Sequence, residues 1–173
     1  MLIAVHHAIS SRLVFTLEDS SKRNELDALF VEIRLGTNRL LLAAAYIPSF
    51  ILHQCYKDFI NILEDVCVNY LPENVIACGD FNLPGIIWED DLSVRAVQYV
   101  CPAILDSVTV IRQASLLMNW RQLFPLHMSK GYTLDLLFAS SETYEYVSVH
   151  EGLVPGDPEH HDSAFFLNKG ECQ

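Results

Sequence analysis

Basic side chains are scarce in this chain of 173 residues, where 11 Lys and Arg stand against 22 Asp and Glu and the formal net charge is −11. Such a charge repels a polyanion such as DNA unless a metal ion or a local basic patch intervenes. The acidity is uneven, because residues 140 to 173 hold seven acids and one base, a net charge of −6. That segment is either a solvated acidic face or a carboxylate-lined cation site.

Paired cysteines and long apolar runs are also missing. The five cysteines form no Cys-x-x-Cys pair and have no spacing typical of zinc sites, so we expect a reduced, intracellular setting, nuclear or cytoplasmic. The apolar start, Met1 to Val5, lacks the basic flank of a signal peptide. The longest apolar run, Leu40 to Ile47, is too short to cross a bilayer, so no membrane is expected as a partner.

The chain has the size and composition of one folded domain. Hydrophobic residues make up 51% of the sequence, enough for a sizeable core, and no repeat, linker or low-complexity segment divides it. The pattern of apolar residues predicts an α/β domain with two layers of mostly antiparallel strands. Strands are predicted over Leu2 to Val5, Leu13 to Leu17, Ala28 to Leu35, Arg39 to Tyr46, Asn74 to Cys78, Tyr132 to Phe138, Tyr144 to His150 and Ser163 to Leu167.

Two further patterns add a hairpin and helices to this prediction. Leu29, Val31, Ile33 and Leu35 alternate with Phe30, Glu32 and Arg34, and the turn residues Gly36-Thr37-Asn38 then join the third and fourth strands into a hairpin. Apolar residues recur at helical spacing between Ser49, a plausible N-cap, and Leu71. The rest is predicted as a loop over Leu83 to Asp91, one or two helices over Leu92 to Leu117 interrupted at Pro102, and an ambiguous segment over Trp120 to Leu126.

Polar residues stand where predicted strands end. Gly79-Asp80-Phe81-Asn82 follows the apolar run Asn74 to Cys78. An Asp can hold or deprotonate an attacking water, and an Asn can donate hydrogen bonds to a phosphoryl oxygen as charge builds on it. The alternative is a Gly-Asp turn in which Asn82 caps the next element. Tyr46 ends another strand, and its hydroxyl either donates to a phosphate oxygen or lies in water.

A second carboxylate is expected to have a partner. Asp135 lies in the apolar run Thr133 to Phe138, on the face of Leu137, where an unpaired charge would be costly. A His is the obvious partner, since a His oriented by a carboxylate transfers protons near neutral pH. The loop from Asp157 to Asp162 supplies two histidines. Its alternatives are an exposed acidic loop without a role and an irregularly spaced metal site of His150, His160 and His161.

Taken in order, these motifs resemble the endonuclease/exonuclease/phosphatase superfamily. The order is Tyr46-x-Pro48, then Gly79 to Trp88, then Thr133 to Phe138, then Asp and His before a closing strand. Within the superfamily the chain resembles the endonuclease domain of a jockey-like non-LTR retrotransposon polyprotein. The stretches that point to this branch are Glu25 to Ile33, Leu83 to Trp88, and Leu153 to Asp157 followed by two histidines.

This resemblance covers residues 1–168 and leaves 169–173 as a short tail. It implies a two-sheet α/β sandwich with helices on the outer faces and a magnesium-dependent activity that hydrolyses phosphodiester bonds in DNA. Asp80 would align or activate the water, Asn82 would stabilise the pentavalent phosphate, and Tyr46 would contact the same phosphate.

The resemblance also assigns the second half of the site. Asp135 would hold the catalytic His in its tautomer and orientation, and that His is His161 or its neighbour His160. Asp157 would match the metal-binding carboxylate that stands directly before the His in the family. Here three residues separate Asp157 from His161, which leaves the choice between the two histidines open.

One part of the family pattern has no match. The family opens with a strand carrying Asn, a helix, and a strand ending in the Glu that binds the divalent cation, whereas Met1 to Val5 resembles the strand that follows them. We therefore expect a domain lacking its first strands and helix, with weak or lost magnesium binding. Two hypotheses remain: a truncated DNA endonuclease domain, and an inactive remnant with at most a binding role. The short loops argue against a third option, a phosphatase for lipids or small phosphoesters, and the oligomeric state is not predicted.

Overall fold

A computed structural model describes residues 3–17, 26–48, 53–89, 92–96, 100–123, 135–140, 147–151 and 163–167, the last two ranges by their backbone. The elements are two helices and ten strands within these ranges. The helices are α1 Gln54–Tyr70 and α2 Pro102–Leu117. The strands are β1 Ser10–Thr16, β2 Asp27–Leu35, β3 Asn38–Tyr46, β4 Asn74–Asp80, β5 Ile86–Trp88, β6 Val94–Ala96, β7 Trp120–Gln122, β8 Asp135–Ser140, β9 Val147–Glu151 and β10 Ser163–Leu167.

Six strands form the main sheet, in the order β1-β2-β3-β4-β8-β7. Only β3 and β4 pair in parallel, through the crossover that contains α1, and the other neighbours are antiparallel. Two smaller sheets pair β5 with β6 and β9 with β10. The chain is therefore a mixed α/β protein with one large sheet and small additional ones, as the sequence predicted.

The predicted alternation in β2 is confirmed, and both faces of the sheet are buried. Phe30 belongs to the core that contains the buried residues of α1 and α2. Val31 and Ile33 belong to a second core on the opposite face. The tight turn at Gly36 and Thr37 joins β2 to β3 over nine register pairs, so the predicted hairpin is also confirmed.

Helix α1 buries an apolar face made of Tyr56, Phe59, Ile60, Leu63 and Val66. This spacing of three and four residues places the side chains on one side of a helix, as predicted from the sequence. The helix ends where Leu71 takes a left-handed conformation, with φ 46°, before Pro72. Among the described residues, neither helix is both long and apolar enough to cross a membrane.

Several predicted elements were wrong in type. Ile3 to Val5 is not a strand; instead the side chains of Ile3 and Val5 pack against the second core. The segment predicted as a loop contains β5, and part of the segment predicted as helical forms its partner β6. Strands of three residues carry too little periodicity to be recognised in a sequence.

Other predicted elements were displaced. Pro102 begins α2 rather than interrupting a longer helix, because the missing N–H of proline costs nothing at the first helical position. Strand β8 extends to Ser140, beyond the predicted end at Phe138, and the ambiguous segment contains β7. The final strand has the predicted bounds, Ser163–Leu167.

Candidate active site

Three predicted site residues lie in one row at an end of the main sheet. Tyr46, the last residue of β3, is the register partner of Asp80, the last residue of β4. Asp80 is in turn the register partner of Asp135, the first residue of β8. Direct partners on neighbouring strands share a face and bring their Cβ atoms to about 5 Å. The sheet therefore assembles side chains that are 34 and 55 positions apart in the sequence.

The row continues onto β2, where Asp27 is the register partner of Tyr46. Sequence reasoning assigned Asp27 no role. The sequence did contain a signal for this pairing. If the predicted hairpin turns at Gly36 and Thr37, its register pairs Asp27 with Tyr46. An exposed carboxylate thus flanks Tyr46 on the side away from Asp80.

Gly79 lets β4 approach β3 closely just before the site. Its φ is 140°, a conformation that other residues rarely adopt. A Cβ added there would lie 1.8 Å from the carbonyl oxygen of Ala45. No side chain fits at that distance, so glycine is required where the strand delivers Asp80 to the row.

The turn after Asp80 is tied to the end of β3. The backbone N–H of Ile47 donates to the carbonyl oxygen of Asp80 over 3.0 Å. The side-chain Nδ2 of Asn82 donates to the carbonyl oxygen of Ile47 over 2.8 Å. Asn82 has φ 46°, in the left-handed region that Asn tolerates better than most residues. These bonds hold the Asn82 carboxamide at the end of β3, next to the row.

A buried tyrosine on α1 holds the turn after Asp80 from the side of the core. The hydroxyl of Tyr56 on α1 donates to the carbonyl oxygen of Phe81 over 2.6 Å. Phe81 is fully buried, with its ring 5.7 Å from that of Phe59 and 6.0 Å from that of Phe138. The sequence prediction gave Phe81 and Tyr56 no role, and no sequence signal separates Tyr56 from the other apolar residues of its helix. Phe81 thus anchors the Gly79-Asp80-Phe81-Asn82 motif in the core.

Burial, and next the carboxylates of the row, raise the pKa of two neighbouring groups. Burial, and next the charge of Asp80, raise the pKa of Tyr56 above its ordinary value of 10.0. Burial, and next the charge of Asp135, raise the pKa of Cys78 to about 12. Asp80, Asn82 and Asp135 are all partly buried, and Tyr46 is 44% exposed. The Tyr56 hydroxyl and the Cys78 thiol therefore keep their protons at neutral pH.

The remaining predicted site residues lie outside the described ranges. This applies to His160, His161 and Asp157, so their assignment stays a prediction. His150 belongs to β9, where its backbone pairs with Ala164. The alternative metal site of three histidines is likewise untested.

The carboxylates of the row bear on the expected metal. Within the described ranges, no group of three or more His, Cys, Asp or Glu side chains is placed to hold a metal ion. Magnesium, however, usually takes one or two carboxylates and completes its shell with water and substrate phosphate. The adjacent oxygen donors of Asp80 and Asp135 are compatible with an ion held in that way.

Comparison with solved structures identifies the fold. The endonuclease domain of TRAS1, a telomere-specific non-LTR retrotransposon, matches with a TM-score of 0.55 and 10% identity over 94% of this chain and 81% of its own. The catalytic domain of human Nocturnin matches with a TM-score of 0.50 and 16% identity over 90% of this chain and 58% of its own. No protein-family model matches the sequence, and no curated protein is significantly similar to it.

Both structural neighbours belong to the endonuclease/exonuclease/phosphatase superfamily. The chain therefore has the endonuclease/exonuclease/phosphatase fold, which the order of its motifs predicted. One of the proteins it is similar to is the endonuclease domain of a non-LTR retrotransposon.

Proposed function

We propose that this chain is a phosphodiester hydrolase, the magnesium-dependent DNA endonuclease domain of a retrotransposon reverse-transcriptase polyprotein. The observation that carries the proposal is the row of Tyr46, Asp80 and Asp135 with Asn82 on the adjoining turn. The fold is compatible with many activities, so the chemistry rests on these side chains. The likeness to the TRAS1 endonuclease domain supports DNA as the substrate class.

Asp80 is proposed to orient and deprotonate the attacking water. Its Oδ1 accepts a hydrogen bond from the backbone N–H of Asn82 over 3.0 Å, which holds the carboxylate in one orientation. A carboxylate fixed at a partly buried strand end can accept a proton from a water molecule and align it with the scissile bond.

Asn82 and Tyr46 are proposed to stabilise the phosphate. The Asn82 amide has two N–H bonds, of which one donates to the carbonyl oxygen of Ile47 and fixes the plane of the amide. The second can donate to a phosphoryl oxygen as negative charge builds there. The exposed hydroxyl of Tyr46, next to Asp80 in the row, donates to the same phosphate.

Asp135 is proposed to orient His161, which transfers the proton between the protein and the reacting oxygens. A carboxylate that accepts from one imidazole nitrogen fixes the tautomer and leaves the other nitrogen facing the substrate. His160 is the alternative in this role. Magnesium, with Asp157 as its proposed protein ligand, would neutralise charge on the phosphate and the leaving oxygen when bound.

Three of the described arginines lie away from this site. Arg34 and Arg39 are register partners next to the β2–β3 turn, and Arg12 lies beside them on β1, at the far end of the sheet from Tyr46. With a net charge of −11, the chain is expected to bind DNA weakly and to depend on a divalent cation for that binding.

Nicking of supercoiled plasmid with and without magnesium tests the proposal. The unmodified chain is expected to convert supercoiled to open-circular DNA only with magnesium, and slowly, because no residue matches the family's metal-binding Glu. Asp80→Asn and His161→Ala should abolish this conversion. Asp106→Asn, an exposed carboxylate on α2, is the matched control and should nick like the unmodified chain. Nicking that survives in Asp80→Asn would contradict the proposal.

The alternative, an inactive remnant with at most a binding role, predicts a different result. The chain would then shift DNA in a gel without nicking it, at any magnesium concentration. Nicking that appears only when a relative's N-terminal strand and Glu are fused before Met1 would instead support a truncated endonuclease.

A further inference from the structure

One peptide group at the site is held at both of its polar atoms. The carbonyl oxygen of Phe81 accepts a hydrogen bond from the Tyr56 hydroxyl over 2.6 Å. The N–H of the same peptide group, on Asn82, donates to Oδ1 of Asp80 over 3.0 Å. A peptide group is rigid and planar, so its orientation is set when both ends are fixed.

We propose that Tyr56 is a positioning residue of the active site, which holds the Phe81–Asn82 peptide and thereby orients the carboxylate of Asp80 and the carboxamide of Asn82. This inference rests on the proposed function. Tyr56 itself is buried, with 3% exposure, and it touches the site through this peptide alone among the hydrogen bonds of the described residues.

The backbone conformation of Asn82 explains why the Tyr56 hydroxyl is needed. Asn82 has φ 46°, a backbone conformation that costs energy for a residue with a side chain and persists only when its surroundings hold it. Rotating the peptide before Asn82 would release this conformation and would move the N–H away from Asp80. The hydroxyl of Tyr56 opposes that rotation from inside the core, where solvent cannot substitute for it.

Helix α1 also stabilises the hydrogen bond between Tyr56 and Phe81. Tyr56 lies one turn from Phe59, whose ring packs against Phe81, so α1 holds the side chain and the backbone of the same residue. The Tyr56 hydroxyl stays protonated, because burial and the charge of Asp80 raise its pKa. It therefore remains a donor at neutral pH.

Tyr56→Phe tests the inference, because it removes the hydroxyl and keeps the ring. Tyr70→Phe on the same helix is the matched control, since the ring of Tyr70 lies 5.1 Å from the guanidinium of Arg12 and away from the row. We expect Tyr56→Phe to lower kcat for plasmid nicking by about tenfold or more with little change in KM, because a small misplacement of catalytic groups is costly. Equal kcat in the two variants would overturn the inference, even if Tyr56→Phe melts at a lower temperature.

A second measurement does not depend on activity. In the NMR spectrum of the full chain, Tyr56→Phe should shift the backbone and side-chain amide signals of Asn82 and speed hydrogen exchange at its N–H, whereas Tyr70→Phe should not. If the unmodified chain does not nick DNA, the proposed function fails but these signals still decide the role of Tyr56. Unchanged Asn82 signals would overturn it.

Should Tyr56→Phe fail to fold, the link can be tested from its other end. Asp80→Asn should shift the resonance of the Tyr56 hydroxyl proton, because the carboxylate and the hydroxyl bind the same peptide group. An unchanged resonance would show that the two are not coupled and would overturn the inference.

Discussion

Asp80 and Asp135 are direct register partners on the antiparallel strands β4 and β8, so two carboxylates stand side by side at one end of the main sheet. Like charges placed directly opposite each other weaken the pairing of strands. On the proposed function, both acids are kept despite this cost because each has a role in the reaction.

Neutralising one of these acids should raise the stability of the protein and lower its activity. Asp80→Asn keeps an oxygen that can accept from the Asn82 N–H but removes one of the two adjacent charges. We expect the free energy of unfolding in urea to rise by about 0.2–1 kcal/mol, while nicking falls by about 10²–10⁴-fold. Asp106→Asn should change neither quantity. A loss of stability in Asp80→Asn would show that the two charges do not repel each other in the folded protein.

Gly79 should tolerate no side chain. Gly79→Ala places a Cβ 1.8 Å from the carbonyl oxygen of Ala45 at φ 140°, and we expect it to destabilise the protein by about 3 kcal/mol or more. Gly36→Ala is the control: its φ is 67°, nothing lies within 4 Å of the added Cβ, and only about 1–2 kcal/mol of backbone strain is expected. Urea denaturation of both variants measures the difference. Equal costs would mean that β3 and β4 are farther apart at Gly79 than described.

Phe81 should matter for folding rather than for contact with the substrate. Its ring is fully buried between those of Phe59 and Phe138, so Phe81→Ala should cost about 3–5 kcal/mol. Leu117→Ala, at a residue 83% exposed, should change stability by less than about 0.5 kcal/mol. Thermal unfolding followed by circular dichroism provides the comparison. A mild effect of Phe81→Ala would place this side chain outside the core.

Glu32 should make stability depend on pH. Its side chain is 4% exposed and accepts from Arg12 and Arg34, each over 3.1 Å. Burial alone would raise the pKa of Glu32, but the hydrogen bonds and charges of Arg34 and Arg12 outweigh it and hold the pKa below the ordinary value of 4.5. Because the folded pKa is the lower one, the contribution is complete above about pH 4.5 and is lost as the pH falls through the folded value.

Glu32→Gln tests this dependence. At pH 7 we expect it to lower the free energy of unfolding by about 1–3 kcal/mol, because a buried charged hydrogen-bond acceptor is replaced by a neutral one. The difference from the unmodified chain should shrink as the pH is lowered below 4.5. Glu64→Gln, an exposed acid on α1, is the control. A difference that stays constant down to acid pH would show that Glu32 is not ionised in the folded protein.

Much of the fold could be predicted from local patterns. The alternation in β2, the turn at Gly36 and the helical spacing in α1 all reflect periodicities that a single segment carries by itself. The errors fall where the segments are short or where packing overrides propensity. Strands β5 and β6 have three residues each, and Ile3 and Val5 pack partly buried against the second core without forming a strand.

The candidate site, like the fold, was predictable from the sequence only in part. Asp80, Asn82, Tyr46 and Asp135 could be named from the sequence, because each is a polar residue at the end or in the middle of an apolar run. Their arrangement in one row could not, since it requires the pairing of β3, β4 and β8. The place of Asp27 in the row could have been predicted from the register of the hairpin. The role of Tyr56 could not, because its bond to Phe81 depends on how α1 packs against the sheet.

By itself, the sequence determined which polar residues follow or interrupt apolar runs, and these are the candidates for chemistry. Gly79-Asp80-Phe81-Asn82 after an apolar run is a local feature, and the periodicity of strands and helices is a property of neighbouring residues. Only the tertiary structure decided that Asp80 lies between Tyr46 and Asp135 and that Tyr56 holds the turn beneath it. Strand register and helix packing join residues far apart in the chain, and these depend on the free energy of the whole core rather than on any one segment.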